Sequence, residues 1–265
     1  ILHAANVQDV LDYGLYGWAM SRLSGCWTGL KLVSDVADAT AVVDVSPVRP
    51  QIILPDSMGE LNLRWPDPPV DQERRLIEQK LPAALAFVKA NTLNFAAISS
   101  RTPRLGIIAT GKAYTDVRQA LEELGLGTAE CDKLGVSVYK VAMPWPLEPD
   151  GIKDFAAKHS AVLVVEEKRG IIEPQLKDLL YSLPADRRPA VIGKRDLSGA
   201  PLLPEHGELS VVRLALIIGQ QLQALGASLA LEALATREPE KVADLIERKP
   251  HYCSGCPHNT STRVP

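Results

Sequence analysis

Two cysteines close to the last residue have the types and spacing that best suit chemistry. Cys253 and Cys256 are separated by a serine and Gly255, and a tight turn between such thiols points both sulfurs toward one metal ion. Gly255 permits the turn, and Pro257 is expected to delay any helix that follows. The pair is compatible with half of a metal site, with a redox dithiol, or with an incidental arrangement. Its position favours the half site, with the missing ligands further along a longer polypeptide.

Lys31 is a second candidate, because it follows Gly29 within an otherwise apolar segment. A buried cation is costly unless an anion pairs with it. One interpretation of Lys31 is therefore a ligand for a carboxylate or a phosphate. The other interpretation is an exposed lysine on an edge strand.

Two segments follow predicted strands, where α/β proteins place their sites. The first, Gly106 to Gly111, has neither the dinucleotide-binding pattern nor the Walker pattern, so Gly111 is predicted to be a turn residue between a strand and a helix. The second, Glu166-Glu167-Lys168-Arg169, is interpreted as a solvated cluster of compensating charges, with a functional site as the alternative. Three histidines have no evident partner in the sequence and are assigned no role: His3, His159 and His206.

Composition excludes several classes of protein. The chain has 265 residues, a formal net charge of −3 and 46% hydrophobic residues, which are ordinary values for a soluble globular protein. Its charge gives no electrostatic reason to expect nucleic acid or a membrane surface as a partner. No apolar run approaches the ~18 residues of a membrane span. Four cysteines do not make a disulfide framework in a chain of this size, so a reducing cytoplasm is the expected location.

Hydrophobic periodicity predicts an α/β fold with a mainly parallel sheet, because strands and helices alternate regularly after Arg104. The predicted strands are 27–33, 40–45, 105–109, 136–142, 161–165 and 190–192, with a bend at 35–38. The predicted helices are 6–23, 71–93 with a kink or interruption at Pro82, 114–124, 152–158, 171–183, 209–225 and 239–247.

Three segments resemble one enzyme family. Asn6 to Arg22, together with Ser24-Gly-Cys-Trp27, closely resembles indolepyruvate ferredoxin oxidoreductase in its long fused form, within the 2-oxoacid:ferredoxin oxidoreductase superfamily. Cys253 to Thr262 resembles the opening of that family's thiamine-diphosphate domain. Val164 to Arg169, with Gln175 to Tyr181, resembles the domain between them. The likeness spans nearly the whole chain, and its two ends are the most specific parts.

The resemblance implies an activity and its cofactors. The family oxidatively decarboxylates 2-oxoacids, typically aryl pyruvates, with coenzyme A, and passes electrons to ferredoxin. Thiamine diphosphate with Mg²⁺ and [4Fe–4S] clusters would be the cofactors, mostly bound outside this segment. The implied partners are the 2-oxoacid, coenzyme A and ferredoxin, with no nucleic acid and no membrane, in a homo-oligomer.

The resemblance also implies a domain organisation, with both ends of the chain inside longer folding units. A transketolase C-terminal-like α/β domain would occupy 104–195, flanked by partial thiamine-diphosphate-binding segments. These segments are the C-terminal part of a pyrimidine-binding domain at 1–45 and the start of a pyrophosphate-binding domain at 250–265. A Pro-rich connector and helix at 46–103 and a helical linker at 196–249 would join them.

Four residues receive roles by resemblance. Lys31 would lie near the substrate carboxylate, because Gly29-Leu30-Lys31 resembles a Gly-Phe-Arg or Gly-Phe-Lys segment of the family. Cys253 and Cys256 match cysteines that bind a cluster near thiamine in several relatives. His258 stands where some relatives place a cofactor-contacting glutamate.

The sequence also departs from the family's pattern. It has no Gly-Asp-Gly segment of the kind that holds the metal of thiamine diphosphate, and no ferredoxin-type run of four cysteines. The segment alone is therefore expected to be inactive. The alternative hypothesis is a stand-alone α/β binding module with a terminal zinc or redox site at its Cys-x-x-Cys pair.

Overall fold

A five-stranded sheet forms the centre of the molecule. The computed structural model describes residues 1–56, 59, 61–62, 64–237 and 252–263. The strands of this sheet are β3 (Phe95–Ile98), β4 (Leu105–Thr110), β5 (Val136–Val141), β6 (Ala161–Val165) and β7 (Ala190–Ile192), in the spatial order β3-β5-β4-β6-β7. All neighbours are parallel except β3, which pairs antiparallel with β5. The predicted α/β class with a mainly parallel sheet is confirmed.

Helices cover both faces of this sheet because its strands are apolar on both sides. The helices are α1 (Val7–Ser24), α2 (Ser34–Ala37), α3 (Pro69–Arg75), α4 (Leu81–Ala90), α5 (Lys112–Glu123), α6 (Thr128–Leu134), α7 (Pro149–Ala156), α8 (Ile172–Tyr181), α9 (Val211–Ala224), α10 (Glu232–Ala235) and α11 (His258–Ser261). Ile107 packs in a core with α5 and α9, whereas its neighbour Ile108 packs in a second core with α7 and α8. Successive side chains along β4 thus point to opposite faces of the sheet, and each face has its own layer of helices.

The first 45 residues form a smaller structure against one end of this domain. Strands β1 (Leu2–His3) and β2 (Leu30–Lys31) make a two-stranded parallel sheet, and α1 connects them. The Asn6 side chain caps α1 by accepting a hydrogen bond from the Asp9 backbone, and Gly25 ends the helix with a left-handed φ of 66°. This agrees with the predicted helix 6–23.

A buried ion pair joins α1 to the central sheet. The Lys140 Nζ atom on β5 lies 2.7 Å from a carboxylate oxygen of Asp9 on α1. The same ammonium lies over the rings of Tyr13 and Tyr114, at 5.6 Å and 5.1 Å from the centroids. The Asp9 carboxylate also accepts a hydrogen bond from the Ala5 backbone. The first helix is therefore held by charge as well as by apolar contact.

Several sequence predictions in the first hundred residues are wrong. Residues 40–45 form no strand, only 30–31 of the predicted strand 27–33 is paired, and the predicted bend at 35–38 is the short helix α2. The prediction at Pro82 holds in part, because the α-helix is interrupted just before it, by a π-helical segment, Leu76–Lys80, that joins α3 to α4. Two elements were not predicted, β3 and, further along the chain, α6. The predicted helix 239–247 lies outside the described residues.

Candidate functional site

Lys31 lies on β2, next to the carboxyl end of the central sheet. Its register partner on β1 is His3, and the His3 backbone N–H donates to the Ala142 carbonyl, directly after β5. The Lys31 side chain is exposed on an edge strand, which agrees with the alternative interpretation, and the expectation of a buried cation is wrong. Within the described part of the chain, no carboxylate lies within 4.0 Å of its ammonium. The lysine is thus solvated, and its charge is available to an anion.

His3 is buried where this N-terminal segment meets the end of β4. Only 4% of the residue is exposed, and its Nδ1 atom lies 3.4 Å from the Thr110 hydroxyl. Thr110 donates its own proton to the Val141 carbonyl, and the His3 Nε2 atom has no partner among the described residues. The ring faces Gly111, whose φ is 54° and where a Cβ atom would overlap the imidazole. Gly111 is the predicted strand-to-helix turn residue.

Burial and charge keep the His3 imidazole neutral. Desolvation, with the nearby Lys31 charge as a second cause, lowers the pKa of His3 to about 4. A neutral imidazole in contact with Gly111 fixes the first residues across the ends of β4 and β5. His3 received no role from the sequence, because its partners lie more than 100 positions away.

The carboxyl ends of β4 and β6 flank the topological switch point of the sheet. From β4 the chain proceeds to β5 on one side, whereas β6 lies on the other side. Crevices at such points are the usual ligand sites of open α/β sheets. Lys112 and Asp116 lie at this edge as a mostly buried ion pair with a separation of 3.1 Å.

Glu166 corrects the interpretation of residues 166–169 as a solvated cluster. Its carboxylate is buried and accepts hydrogen bonds from the backbone N–H groups of Ile171, Ile172 and Glu173, at 2.8–3.1 Å. The Lys194 ammonium donates to the Glu166 carbonyl at 2.5 Å. Glu166 therefore caps the N–H groups at the start of α8 from outside the helix, whose N-cap residue is Ile171, and this role is structural. Lys168 and Arg169 are exposed, as predicted.

The two cysteines near the end of the chain form a turn that opens a short helix. Gly255 has a φ of 79°, and the Cys256 backbone N–H donates to the Cys253 carbonyl at 3.0 Å. The Cys256 Sγ atom lies 3.2 Å from Nδ1 of His258, and Tyr252 stacks on that imidazole. The expectation that Pro257 delays a helix is wrong, since α11 begins at the next residue with Pro257 as its N-cap.

These groups are metal-ligand types, but they make an incomplete site. Thiolates and an imidazole suit zinc or an iron–sulfur cluster. The described residues nevertheless contain no group of three or more His, Cys, Asp or Glu side chains that could hold a metal ion. They also lack the Gly-Asp-Gly donor set of a thiamine-diphosphate site, which is absent from the sequence. Cys253 and Cys256 thus fit half of a cluster or zinc site, and the chain does not fit the diphosphate group.

The fold and these sites define an α/β domain whose carboxyl edge is crossed by an N-terminal helical segment, with a thiol pair near the other end. The family model described as "Indolepyruvate oxidoreductase domain" matches residues 96–242, more than half of the 265 residues. The chain therefore belongs to the indolepyruvate oxidoreductase domain family, as the resemblance implied.

Three similar proteins are all described as indolepyruvate oxidoreductase subunit IorA. The indolepyruvate oxidoreductase subunit IorA of Methanothermobacter marburgensis is 25% identical over 260 residues, which are 97% of this chain and 38% of that protein. IorA of Methanothermobacter thermautotrophicus is 27% identical, with the same coverage. IorA of Thermococcus kodakarensis is 29% identical over 60% of this chain and 22% of its own length. The chain thus spans less than half the length of these relatives.

Two solved structures have a low structural similarity to this chain. A 2-oxoglutarate:ferredoxin oxidoreductase from Magnetococcus marinus matches 61% of this chain and 25% of its own, with a TM-score of 0.39 and 15% identity. A split-gene transketolase in an inactive tetramer matches 47% of this chain and 40% of its own, with a TM-score of 0.33 and 20% identity. Neither score supports an argument about this chain. Among the described helices, none is both long and apolar enough to cross a bilayer.

Proposed function

We propose that this chain is part of an oxidoreductase subunit that oxidatively decarboxylates 2-oxoacids, with aryl pyruvates such as indolepyruvate as the substrate class. The family match over residues 96–242 is the observation that carries this proposal. Coenzyme A would accept the acyl group, and ferredoxin would accept the electrons. Thiamine diphosphate with Mg²⁺ would supply the chemistry of decarboxylation, and its metal-binding groups would come from outside this segment. The protein would work as a homo-oligomer in the cytoplasm.

Within this proposal, the domain organisation stays as inferred from the sequence. Residues 1–45 would complete a pyrimidine-binding domain, and 250–265 would begin a pyrophosphate-binding domain. The α/β domain between them would act mainly as scaffold and interface, because its best-defined polar contacts, such as the Glu166 cap, are structural.

We assign Lys31 the role of binding the substrate carboxylate. Two features of the described residues support this role: the side chain is exposed at the carboxyl edge of the sheet, and its ammonium has no carboxylate partner there. His258 would contact the thiamine cofactor.

The Lys31 role predicts a selective kinetic defect. In the full-length protein that carries this sequence, Lys31→Gln should raise KM for the 2-oxoacid about tenfold or more, with a smaller change in kcat, because one charge-assisted contact to the carboxylate is lost. Steady-state reduction of ferredoxin measures both constants. Lys133→Gln is the control, since Lys133 is also exposed and lies on α6, where it pairs with Glu130. An unchanged KM in Lys31→Gln would contradict the role.

Cys253 and Cys256 are proposed as two ligands of a cluster whose remaining ligands lie outside the described residues. Iron and sulfide analysis of the full-length protein, purified without oxygen, should show loss of one cluster in Cys256→Ser and none in Cys26→Ser. The convergence of Cys256 and His258 at 3.2 Å favours a second candidate, a zinc-binding module. That candidate requires the 265-residue chain to retain one zinc ion that Cys256→Ser loses.

A further inference from the structure

A cavity of about 230 Å³ lies at the amino edge of the central sheet, where β4 and β5 begin. Its lining includes Ser137, the second residue of β5, together with residues of α7, of the turn after α7 and of the loop after β3. Sites for drug-sized ligands usually have volumes of about 300–1,000 Å³, so this smaller space suits a molecule of one ring. Lys31, the switch-point residues and the thiol pair do not line this cavity, so it is a separate feature.

Two small residues leave this space on one face of the sheet. Gly106 on β4 is the register partner of Ser137 on β5. A Cβ atom at Gly106 would lie 2.9 Å from the Phe155 ring and 3.1 Å from the His159 ring, closer than such contacts normally are. The missing side chain at Gly106 therefore lets both rings lie against the sheet, where they form part of the cavity wall.

Three rings make this wall flat and mostly apolar. The ring centroids of Tyr139 and Phe155 are 4.9 Å apart, and those of Phe155 and His159 are 4.5 Å apart. Each of the three residues is at most 6% exposed, and all three line the cavity. Ring faces and edges pack favourably against another planar ring. The wall therefore favours a flat ligand.

The His159 imidazole has an unused hydrogen-bond acceptor. Its Nδ1 atom lies 2.8 Å from the Phe155 carbonyl, and a carbonyl can only accept, so Nδ1 carries the proton. Desolvation lowers the pKa of His159, which keeps the ring neutral and leaves a lone pair on Nε2. That Nε2 atom is buried and has no partner among the described residues. Because a buried acceptor without a partner is costly, a ligand donor there would be stabilising.

Two hydroxyl groups supply donors on the same lining. The Tyr139 hydroxyl makes no hydrogen bond with any described residue, and burial raises the pKa of Tyr139, so the hydroxyl keeps its proton. The Ser137 hydroxyl accepts from the Ser100 backbone N–H at 3.1 Å, but within the described part of the chain its own proton has no acceptor. Among the lining residues, the charged side chains are those of Asp154 and Lys158, which are exposed. A charged ligand inside the cavity would therefore lose hydration without a buried counter-charge.

We propose that this cavity binds a small, flat, neutral cyclic amide, whose N–H donates to the His159 Nε2 atom and whose carbonyl accepts from the Tyr139 hydroxyl. A cyclic amide carries one donor beside one acceptor in a single plane, which complements this set of unpaired groups. The inference does not rest on the proposed function, because the cavity lies at the opposite edge of the sheet from Lys31 and shares no lining residue with the sites assigned there.

A matched pair of probes tests this proposal on the full-length protein that carries this sequence, without 2-oxoacid or coenzyme A. 2-Pyridone has adjacent N–H and C=O groups, and N-methyl-2-pyridone has the same ring without the N–H. A ligand-detected NMR titration should show saturable binding of 2-pyridone. The N-methyl compound should bind about threefold to tenfold more weakly, the range expected for the loss of one neutral hydrogen bond.

Two variants and one control assign the contacts to residues. Tyr139→Phe should weaken both probes about threefold or more and keep the preference for 2-pyridone, because only the contact to the carbonyl is lost. His159→Phe should bind both probes with equal affinity, since the acceptor for the N–H is gone. Tyr181→Phe, at a position on α8 that is 76% exposed, removes a hydroxyl outside the cavity and should bind like the wild type. Circular dichroism and the thermal midpoint verify that each variant is folded.

The proposal is overturned if 2-pyridone does not bind, or if folded Tyr139→Phe binds both probes as tightly as the wild type. It is also overturned if the preference for 2-pyridone survives in folded His159→Phe. Should His159→Phe fail to fold, Tyr139→Phe still decides, because the hydroxyl that it removes makes no hydrogen bond with the described residues. Failure of the proposed enzymatic function would leave these outcomes unaffected.

Discussion

Lys140→Met should lower the free energy of unfolding by about 3–5 kcal/mol, because it leaves the Asp9 carboxylate buried without its cation. The side chains of Lys140 and Asp9 are only 8% and 11% exposed, so water cannot replace the lost partner. The ammonium contacts with the rings of Tyr13 and Tyr114 disappear in the same variant. Urea denaturation followed by circular dichroism measures the change.

A double-mutant cycle separates the charge effect from packing. Asp9→Asn combined with Lys140→Met should regain a large part of the lost stability, since no unpaired buried charge remains. The exposed pair Lys89–Asp150 is the control, and Lys89→Met should cost less than about 1 kcal/mol. A loss of similar size at both lysines would show that the buried pair does not anchor α1 to the sheet.

Gly111→Ala should cost about 2–5 kcal/mol, from backbone strain together with overpacking. At a φ of 54° the new Cβ atom would overlap the ring of His3, which is only 4% exposed. Denaturant unfolding at neutral pH, where His3 is neutral, measures the loss.

Two comparisons isolate the steric part of this effect. Gly125, just after α5, also has a positive φ, of 70°, but a Cβ atom there would meet nothing within 4 Å. Gly125→Ala should therefore cost only about 1 kcal/mol of backbone strain. The double variant His3→Ala, Gly111→Ala should be less destabilised than the sum of the single variants. Equal losses at Gly111 and Gly125 would contradict the contact with His3.

The α/β core could be predicted because its signal is local. The strands at 105–110 and 161–165 are short apolar runs between amphipathic helices, and this periodicity survives in a single sequence. Residues 40–45 show the opposite case. They are rich in β-branched residues, but they lie exposed without a partner strand, and strand propensity depends on such pairing. The antiparallel strand Phe95–Ile98 exists through its pairing with β5, which no local pattern reveals.

The residues of the candidate sites also differ in whether a local sequence pattern predicts them. The Cys253–Cys256 pair and Gly111 were visible because three-residue spacing and a strand-to-helix turn are local features. The contact of His3 with Thr110 spans 107 positions, and the ion pair of Lys140 with Asp9 spans 131, so both arise only from the fold. Pro82 was recognised as a break, and the break is a π segment directly before it, a form that the sequence pattern does not specify.

The most direct test of the central claim is an assay of the full-length protein that carries this sequence, loaded with thiamine diphosphate and Mg²⁺ under anaerobic conditions. Our account predicts release of CO₂ and reduction of ferredoxin that require both an aryl pyruvate and coenzyme A. It also predicts no turnover by the 265-residue chain alone. An intact, cofactor-loaded protein that turns over no 2-oxoacid would contradict the account, as would turnover by the isolated segment.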